Sequence, residues 1–132
     1  MTSLNPDIWG PHTWIFLHAV AHTYPENPSK DDKERYSDFF TSLQYVLPCS
    51  VCRDHLKDII RDQPIQLESQ KTLQYWLIDI HNSVNRILGQ SEIDYNDVDY
   101  ALYNVTPSIS SHIFNLVLVC LIIIIISFCL KK

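Results

Sequence analysis

The chain has 132 residues, a length that accommodates one domain and little more. Hydrophobic residues make up 46% of the sequence, enough for a packed core, whereas two glycines are too few for a glycine-rich phosphate loop or a flexible linker. The formal net charge is −5, which argues against nucleic acid as the main partner because phosphate binding requires clustered lysine and arginine.

The first two predicted helices are marked by caps and prolines. Asn5 and Pro6 supply a cap and a first-turn proline, and Tyr24-Pro25 ends the first helix. Ser29 followed by Asp32 resembles a capping box for the second helix. Apolar residues then recur at helical spacing on both helices: Trp14, Leu17 and Ala21 on the first, and Tyr36, Phe39, Phe40, Leu43 and Leu47 on the second.

Pro48 interrupts the pattern, and a third helix is predicted over residues 49–61. A fourth helix is predicted over residues 69–88, with Gly89 as its C-terminal cap, and Asp94 caps a short fifth helix that reaches Tyr103. No stretch alternates long enough to form a strand. The sequence therefore predicts an all-α fold, a four-helix bundle with a short fifth helix.

Residues 113–130 carry no charge and are apolar on every side of a helix. As a helix this stretch spans about 27 Å, close to the thickness of a bilayer's hydrocarbon core. A buried core helix is the alternative, but so small a domain would not cover such a segment on all faces. We therefore predict a head at residues 1–105, a linker at 106–112, and a C-terminal transmembrane helix at 113–130.

Cys49 and Cys52 form a Cys-x-x-Cys pair at the predicted start of the third helix. The N–H groups and dipole of a first turn favour a thiolate there, and thiol–disulfide exchange needs a thiolate. Half of a zinc site or a structural pair of thiols are the alternatives. The other cysteines, Cys120 and Cys129, lie in the predicted membrane segment and face nearly opposite sides of a helix. We therefore favour a redox pair and predict no metal.

Polar and aromatic residues of the first and fourth helices form a second candidate site. His81, Asn82 and Asn85 share one region of the fourth helix, and Trp14 and His18 are one turn apart on the first. An aromatic ring with polar edges on two facing helices suits a flat heteroaromatic cofactor. His18 as a hydrogen-bonded core histidine is the alternative.

Five motifs, taken together, resemble the Erv/ALR family of FAD-linked sulfhydryl oxidases. In chain order they are Trp9-Gly10-Pro11-x-x-Trp14, Leu17-His18, Tyr24-Pro25, Leu47-Pro48-Cys49-x-x-Cys52 and Trp76-x-x-x-x-His81-Asn82-x-Val84-Asn85-Arg86-x-Leu88-Gly89. The resemblance covers residues 9–103. Within it, Tyr95 stands near the position where the family has a further structural cysteine.

The resemblance implies a four-helix bundle that binds FAD without a covalent bond and forms a homodimer. It places Cys52 nearest the flavin and leaves Cys49 exposed to incoming thiols. The cofactor-binding residues that it implies are Gly10, Trp14, His18, His81, Asn82, Asn85, Arg86 and Tyr103. Small membrane-anchored members from large cytoplasmic DNA viruses resemble this chain most.

The expected reaction passes electrons from thiols through Cys49 and Cys52 to FAD and then to O2, which gives H2O2. Larger members carry a separate shuttle pair of cysteines that has no counterpart here. The expected partner is therefore a protein dithiol or a thioredoxin- or glutaredoxin-like shuttle. A membrane-tethered scaffold and a flavin-free disulfide carrier are the alternative functions.

The expected location is a virion membrane or a host cytoplasmic membrane with the head facing the cytosol. A C-terminal anchor normally leaves the preceding domain on the cytosolic side. Lys131 and Lys132 oppose the positive-inside preference, which is weak for two residues at a terminus.

Overall fold

Four α-helices contain most of the residues that the computed structural model describes, which are residues 4–98. They are α1 (Pro6–His22), α2 (Lys30–Val46), α3 (Ser50–Asp62) and α4 (Gln70–Leu88). Residues 4–98 contain no strand, and the prediction of an all-α, four-helix fold is confirmed.

Side-chain caps set the starts of the helices, as the sequence indicates. The Asn5 carboxamide oxygen accepts a hydrogen bond from the Asp7 N–H at 3.1 Å. At α2, the Ser29 hydroxyl accepts from the Asp32 N–H at 3.1 Å, and the Asp32 carboxylate accepts from the Ser29 N–H at 2.9 Å. The predicted capping box is therefore present, and it satisfies N–H groups that a helix start leaves without intrahelical partners.

The core lies where α1 packs on α4, α3 packs on α4, and α2 packs on α3. Two large side chains with polar tips are buried there with those tips hydrogen-bonded. The Tyr24 hydroxyl donates to the Leu67 carbonyl at 3.0 Å, and the Trp76 indole N–H donates to the Gln63 carbonyl at 2.9 Å. The buried core residues are Leu17, Ala21, Tyr24, Phe40, Leu56, Ile59, Leu73, Trp76, Leu77 and Ile80.

The described chain ends within the predicted fifth helix. Asp97 and Val98 are helical, and the Asp94 carboxylate accepts from the Asn96 N–H at 2.8 Å, as expected for a residue that begins a helix. Tyr103, the linker at 106–112 and the predicted transmembrane helix at 113–130 lie outside the described residues. None of the helices within residues 4–98 combines the length and the apolar character needed to span a bilayer.

Gly89 ends α4 in the left-handed conformation, with φ at 66°. An L-residue with a Cβ pays about 1–2 kcal/mol in this conformation. We therefore expect Gly89→Ala to lower the free energy of unfolding by about 1 kcal/mol, measured by urea denaturation. Gln90→Ala, at the exposed neighbouring position, is the control. A loss of stability equal to that of the control would show that the end of α4 does not depend on the glycine.

Candidate functional site: a cysteine pair and an aromatic–histidine cluster

The two cysteines form a disulfide at the first turn of α3, with their Cα atoms 5.2 Å apart. Cys49 is the N-cap of the helix, and its sulfur accepts a hydrogen bond from the Cys52 N–H at 3.2 Å. The predicted helix start is therefore shifted by one residue, because Cys49 caps α3 instead of belonging to it. No group of three or more His, Cys, Asp or Glu side chains within residues 4–98 could hold a metal ion.

Arg53 braces the turn that carries the cysteine pair. Its guanidinium donates to the Leu47 carbonyl at 2.5 Å, and its backbone N–H donates to the Cys49 carbonyl at 3.1 Å. A hydrogen bond from a charged donor is stronger than one between neutral groups. Arg53 therefore ties the end of α2 to the start of α3 on both sides of Pro48. Sequence reasoning did not single out this residue.

The exposure of the cysteines differs from the expectation drawn from the resemblance. Cys49, expected to be open to incoming thiols, is only 6% exposed, whereas Cys52 is partly exposed. The N-terminal segment lies against this turn, since the Leu4 N–H donates to the Pro48 carbonyl at 3.2 Å. The expectation of an exposed Cys49 is therefore wrong for this conformation of the chain.

The second half of the site is an aromatic–histidine cluster of Trp14, His18 and His81. The Trp14 and His81 rings stack with their centroids 3.9 Å apart and their planes 8° from parallel. The His18 Nε2 and His81 Nδ1 atoms lie 3.1 Å apart, a hydrogen bond in which one ring donates and the other accepts. The packing of α1 on α4 thus brings together three of the residues predicted to contact a cofactor.

Both histidines are neutral at physiological pH. Burial lowers the pKa of His18 to about 4. Burial is also the main cause that lowers the pKa of His81 to about 4, and the neighbouring His18 adds to it. Desolvation disfavours the charged form of an imidazole, and a second charged ring at hydrogen-bond distance would disfavour it further.

Asn82 and Asn85 are buried, and their carboxamides form hydrogen bonds with the chain itself. The Asn82 carboxamide donates to the Ile93 carbonyl at 3.1 Å and accepts from the Ile93 N–H at 2.9 Å. The Asn85 carboxamide donates to the Ser91 carbonyl at 3.1 Å. These amides therefore hold the backbone of the segment after α4, residues 90–95, whereas His81 faces α1.

Arg86 and Tyr95 also attach this segment to α4. The Arg86 guanidinium pairs with the Glu92 carboxylate at 2.9 Å. The Tyr95 hydroxyl donates to the Asp79 carboxylate at 2.5 Å, and this hydrogen bond is the main cause that raises the pKa of Tyr95 above its usual value. The sequence marked Tyr95 only as the residue near a family cysteine position. Its separation of 16 residues from Asp79 does not predict that the two side chains meet.

Gly10 has space beside it on α1. A Cβ added there would meet no atom within 4 Å, so the chain's own packing does not require a glycine at this position.

A separate cavity of about 280 Å³ lies beside the cluster. Its lining includes His18, Lys71, Gln74, Tyr75 and Tyr95. Open space, a planar stack and polar edges together fit a flat, polar cofactor.

The helical bundle holds a disulfide at the start of α3 and an aromatic–histidine cluster between α1 and α4. These two features define a thiol–disulfide redox protein with a surface suited to a planar cofactor. The family model described as Erv1 / Alr matches residues 11–103, and the chain belongs to that family.

Relatives and solved structures agree with this membership. A probable FAD-linked sulfhydryl oxidase of Acanthamoeba polyphaga mimivirus is 42% identical over 75% of this chain and 71% of its own length. The FAD-linked sulfhydryl oxidase ERV1 of Arabidopsis thaliana is 41% identical over 68% of this chain. The match covers 47% of the Arabidopsis protein's own length. The crystal structure of the yeast Erv1 core matches with a TM-score of 0.72 and 27% identity, over 80% of this chain and 89% of that one.

The buried histidine pair predicts a loss of stability in mild acid. An unfolded histidine has a pKa near 6.5, whereas His18 and His81 titrate at about 4, so the unfolded chain binds more protons between these values. The free energy of unfolding should therefore fall as the pH drops from 6.5 to 4, by at most about 1.4 kcal/mol per pH unit for each histidine. Urea denaturation across this range measures the slope.

Replacing one histidine of the pair tests the origin of that slope. His18→Gln keeps a hydrogen-bonding side chain beside His81 and removes one titrating group, so the slope should become shallower. His55→Gln changes an exposed histidine of α3 and should leave the slope as it is. An equally steep slope in His18→Gln would assign the acid sensitivity to other groups.

Proposed function

We propose that the chain is an FAD-linked sulfhydryl oxidase that forms disulfide bonds in protein substrates. The observation that carries this proposal is the Cys49–Cys52 disulfide at the first turn of α3, in a chain of the Erv1 / Alr family. The names of the relatives support the same activity, because they describe FAD-linked sulfhydryl oxidases.

Disulfide exchange with the cysteine pair is the first half of the reaction. A substrate thiolate attacks one sulfur of the pair, forms a mixed disulfide with it, and displaces the other as a thiolate. The second substrate thiolate then attacks the mixed disulfide, so the substrate leaves oxidised and Cys49 and Cys52 hold both electrons. The two protons of the substrate dithiol pass to the reduced cysteines or to solvent.

Cys49 is the sulfur attacked in this proposal, as the resemblance implies. The helix dipole and the Cys52 N–H lie beside the Cys49 sulfur, and they favour Cys49 as the thiolate that leaves when the second substrate thiolate resolves the mixed disulfide. Because Cys49 is buried, the turn that carries it must open before a substrate thiolate reaches its sulfur. Cys52 is then the leaving thiolate, which the resemblance places nearest the flavin.

The aromatic–histidine cluster is the proposed surface for the flavin. Bound FAD would supply the redox chemistry, the transfer of two electrons from the reduced cysteines to O2, which becomes H2O2 with the two protons that the dithiol releases. Trp14 and His81 offer a planar contact, and neutral His18 offers a donor or an acceptor without adding charge. Asn82, Asn85 and Arg86 act through the segment at residues 90–95, which they hold on α4.

The electron donor is a protein dithiol, either the final substrate or a thioredoxin- or glutaredoxin-like shuttle. Apart from Cys49 and Cys52, the sequence contains only Cys120 and Cys129, which lie in the proposed membrane segment. The lack of a second cysteine pair outside that segment of the sequence supports a separate molecule as the electron donor. The acidic head and the absence of a lysine- or arginine-rich cluster from the sequence support a partner other than nucleic acid.

We further propose that a homodimer forms through α1. Ile8, Ile15 and Phe16 are exposed apolar residues of this helix. Apolar side chains grouped on one surface are typical of a subunit interface. A second copy of the chain would remove them from water.

The membrane anchor and the location are also proposals. Residues 113–130 are long and apolar enough to cross a bilayer as a helix. We propose a single-pass protein anchored in a virion membrane or in host cytoplasmic membranes, with its head facing the cytosol. The resemblance to small viral members of the family supports this location.

Single substitutions of the cysteine pair test the reaction. Cys49→Ser and Cys52→Ser should each lower oxygen consumption with dithiothreitol at least 100-fold, because neither sulfur has a substitute in the head. The controls are Cys120→Ser and Cys129→Ser, which should turn over like the unsubstituted protein. Circular dichroism and the flavin absorbance band check folding and cofactor content. Turnover that survives in Cys49→Ser or in Cys52→Ser would contradict the mechanism.

A substitution at Gly10 tests the flavin surface. Alanine raises helix stability by roughly 0.5–1 kcal/mol relative to glycine, and no chain atom opposes its methyl group. If the flavin approaches α1 at this point, Gly10→Ala should weaken FAD binding about tenfold while the helix content stays unchanged. His12→Ala, at an exposed position of the same helix, is the matched control. Equal flavin affinity in both variants would show that the flavin does not approach α1 at Gly10.

Removal of residues 107–132 tests the anchor and the dimer together. The truncated protein should be soluble, yellow and active, with the mass of two heads by light scattering, because every proposed site lies before residue 107. Ile15→Glu in this form should yield the mass of one head, and Gln90→Glu should not. Aggregation or loss of flavin after truncation would mean that the removed residues belong to the fold.

A further inference from the structure

Three exposed apolar side chains lie within four residues of Cys49. Tyr45 is 69%, Val46 66% and Val51 59% exposed. Tyr45 and Val46 end α2, and Val51 lies between the two cysteines at the start of α3. We name these three residues the apolar rim.

The surface of α2 changes character toward the cysteine pair. Its earlier exposed positions carry charged side chains, which are Lys30, Asp31, Glu34, Arg35 and Asp38. From residue 39 to residue 52 the sequence has no charged side chain at all. The exposed apolar residues of α2 are therefore confined to the end that meets the disulfide.

The exchange reaction itself requires that a substrate cover this region. A mixed disulfide has an S–S bond of about 2.05 Å and holds the two Cα atoms roughly 4.4–6.8 Å apart. A protein bonded to this pair must therefore place the residues that flank its own cysteine within reach of Val51 and of the end of α2. Apolar side chains there favour an apolar neighbour, since their association removes both from water.

We propose that the apolar rim is the docking surface for the substrate, and that it selects protein dithiols whose cysteines are flanked by apolar, uncharged residues. The proposal rests on the oxidase function proposed above and names its substrate class. The net charge of −5 acts in the same direction, because acidic residues beside the substrate cysteines would be repelled. Small dithiols such as dithiothreitol do not extend to the rim and do not benefit from it.

Three peptides test this selection with the full-length, flavin-bound protein. They share one Cys-x-x-Cys core and differ only in the flanking residues, which are leucine, serine or glutamate. Oxygen consumption gives kcat/KM for each peptide and for dithiothreitol. We expect kcat/KM for the leucine peptide to exceed that for the serine peptide about fivefold or more. Full burial of two leucine side chains would stabilise the bound peptide by more than a fivefold ratio requires. The glutamate peptide should be the poorest substrate.

Substitutions locate the selectivity on the protein. Val51→Ser should lower the ratio of kcat/KM for the leucine peptide to that for the serine peptide at least threefold, and Val46→Ser should lower it in the same direction. Ile87→Ser removes an apolar side chain of 50% exposure from α4, and it should leave the ratio unchanged. Circular dichroism checks that each variant is folded, and the peptide series on the unsubstituted protein does not depend on any variant.

The outcomes separate failure of docking from failure of the oxidase function. Equal kcat/KM for the leucine and serine peptides, or an undiminished ratio in Val51→Ser, overturns the docking proposal. A change from dimer to monomer in Val46→Ser with an undiminished peptide ratio would assign the rim to the subunit interface and would also overturn it. If dithiothreitol supports no oxygen consumption, the oxidase function itself fails, whereas dithiothreitol oxidation without peptide selectivity refutes only the docking surface.

Discussion

The contact between His18 on α1 and His81 on α4 is the interaction on which the proposed cofactor surface depends. The two rings are 63 residues apart in sequence and are joined by a 3.1 Å hydrogen bond. Burial lowers the pKa of both imidazoles and keeps them neutral, because a charged ring loses its hydration inside the bundle. Trp14 then stacks on His81, so one pair of helices sets the position of all three rings.

The cysteine pair depends on a different pair of helices. The end of α2 and the start of α3 meet at Pro48, and Arg53 ties the two sides of this turn together. The packing of α3 on α4 joins this turn to the aromatic–histidine cluster through the core. The cysteine pair and the proposed cofactor surface therefore rest on separate helix pairs, and the shared core joins them.

The segment after α4 is held without a disulfide. Asn82 and Asn85 bind its backbone, Arg86 pairs with Glu92, and Tyr95 reaches Asp79. Within residues 4–98 the only cysteines are the exchange pair, so reduction by a substrate breaks no other covalent link there. Hydrogen bonds that thiols cannot cleave suit an enzyme whose substrates are reductants.

The sequence by itself determined the helices, their caps and the cysteine pair, because these depend on residues within a turn or two of one another. Ser29 with Asp32, Gly89 after α4 and Cys49 at the start of α3 are local signals of this kind. Helical spacing also placed Trp14 and His18 on one side of α1.

The tertiary structure alone decided which side chains the candidate residues meet. It packed the His81 ring of α4 against Trp14 of α1, but it turned the amides of Asn82 and Asn85 to the backbone of residues 90–95 and buried Cys49. Helical periodicity predicts which residues share a face of their own helix, whereas the partner of that face depends on how distant segments pack. Burial of Cys49 and the bond from Tyr95 to Asp79 come from such contacts, for which neighbouring residues give no signal.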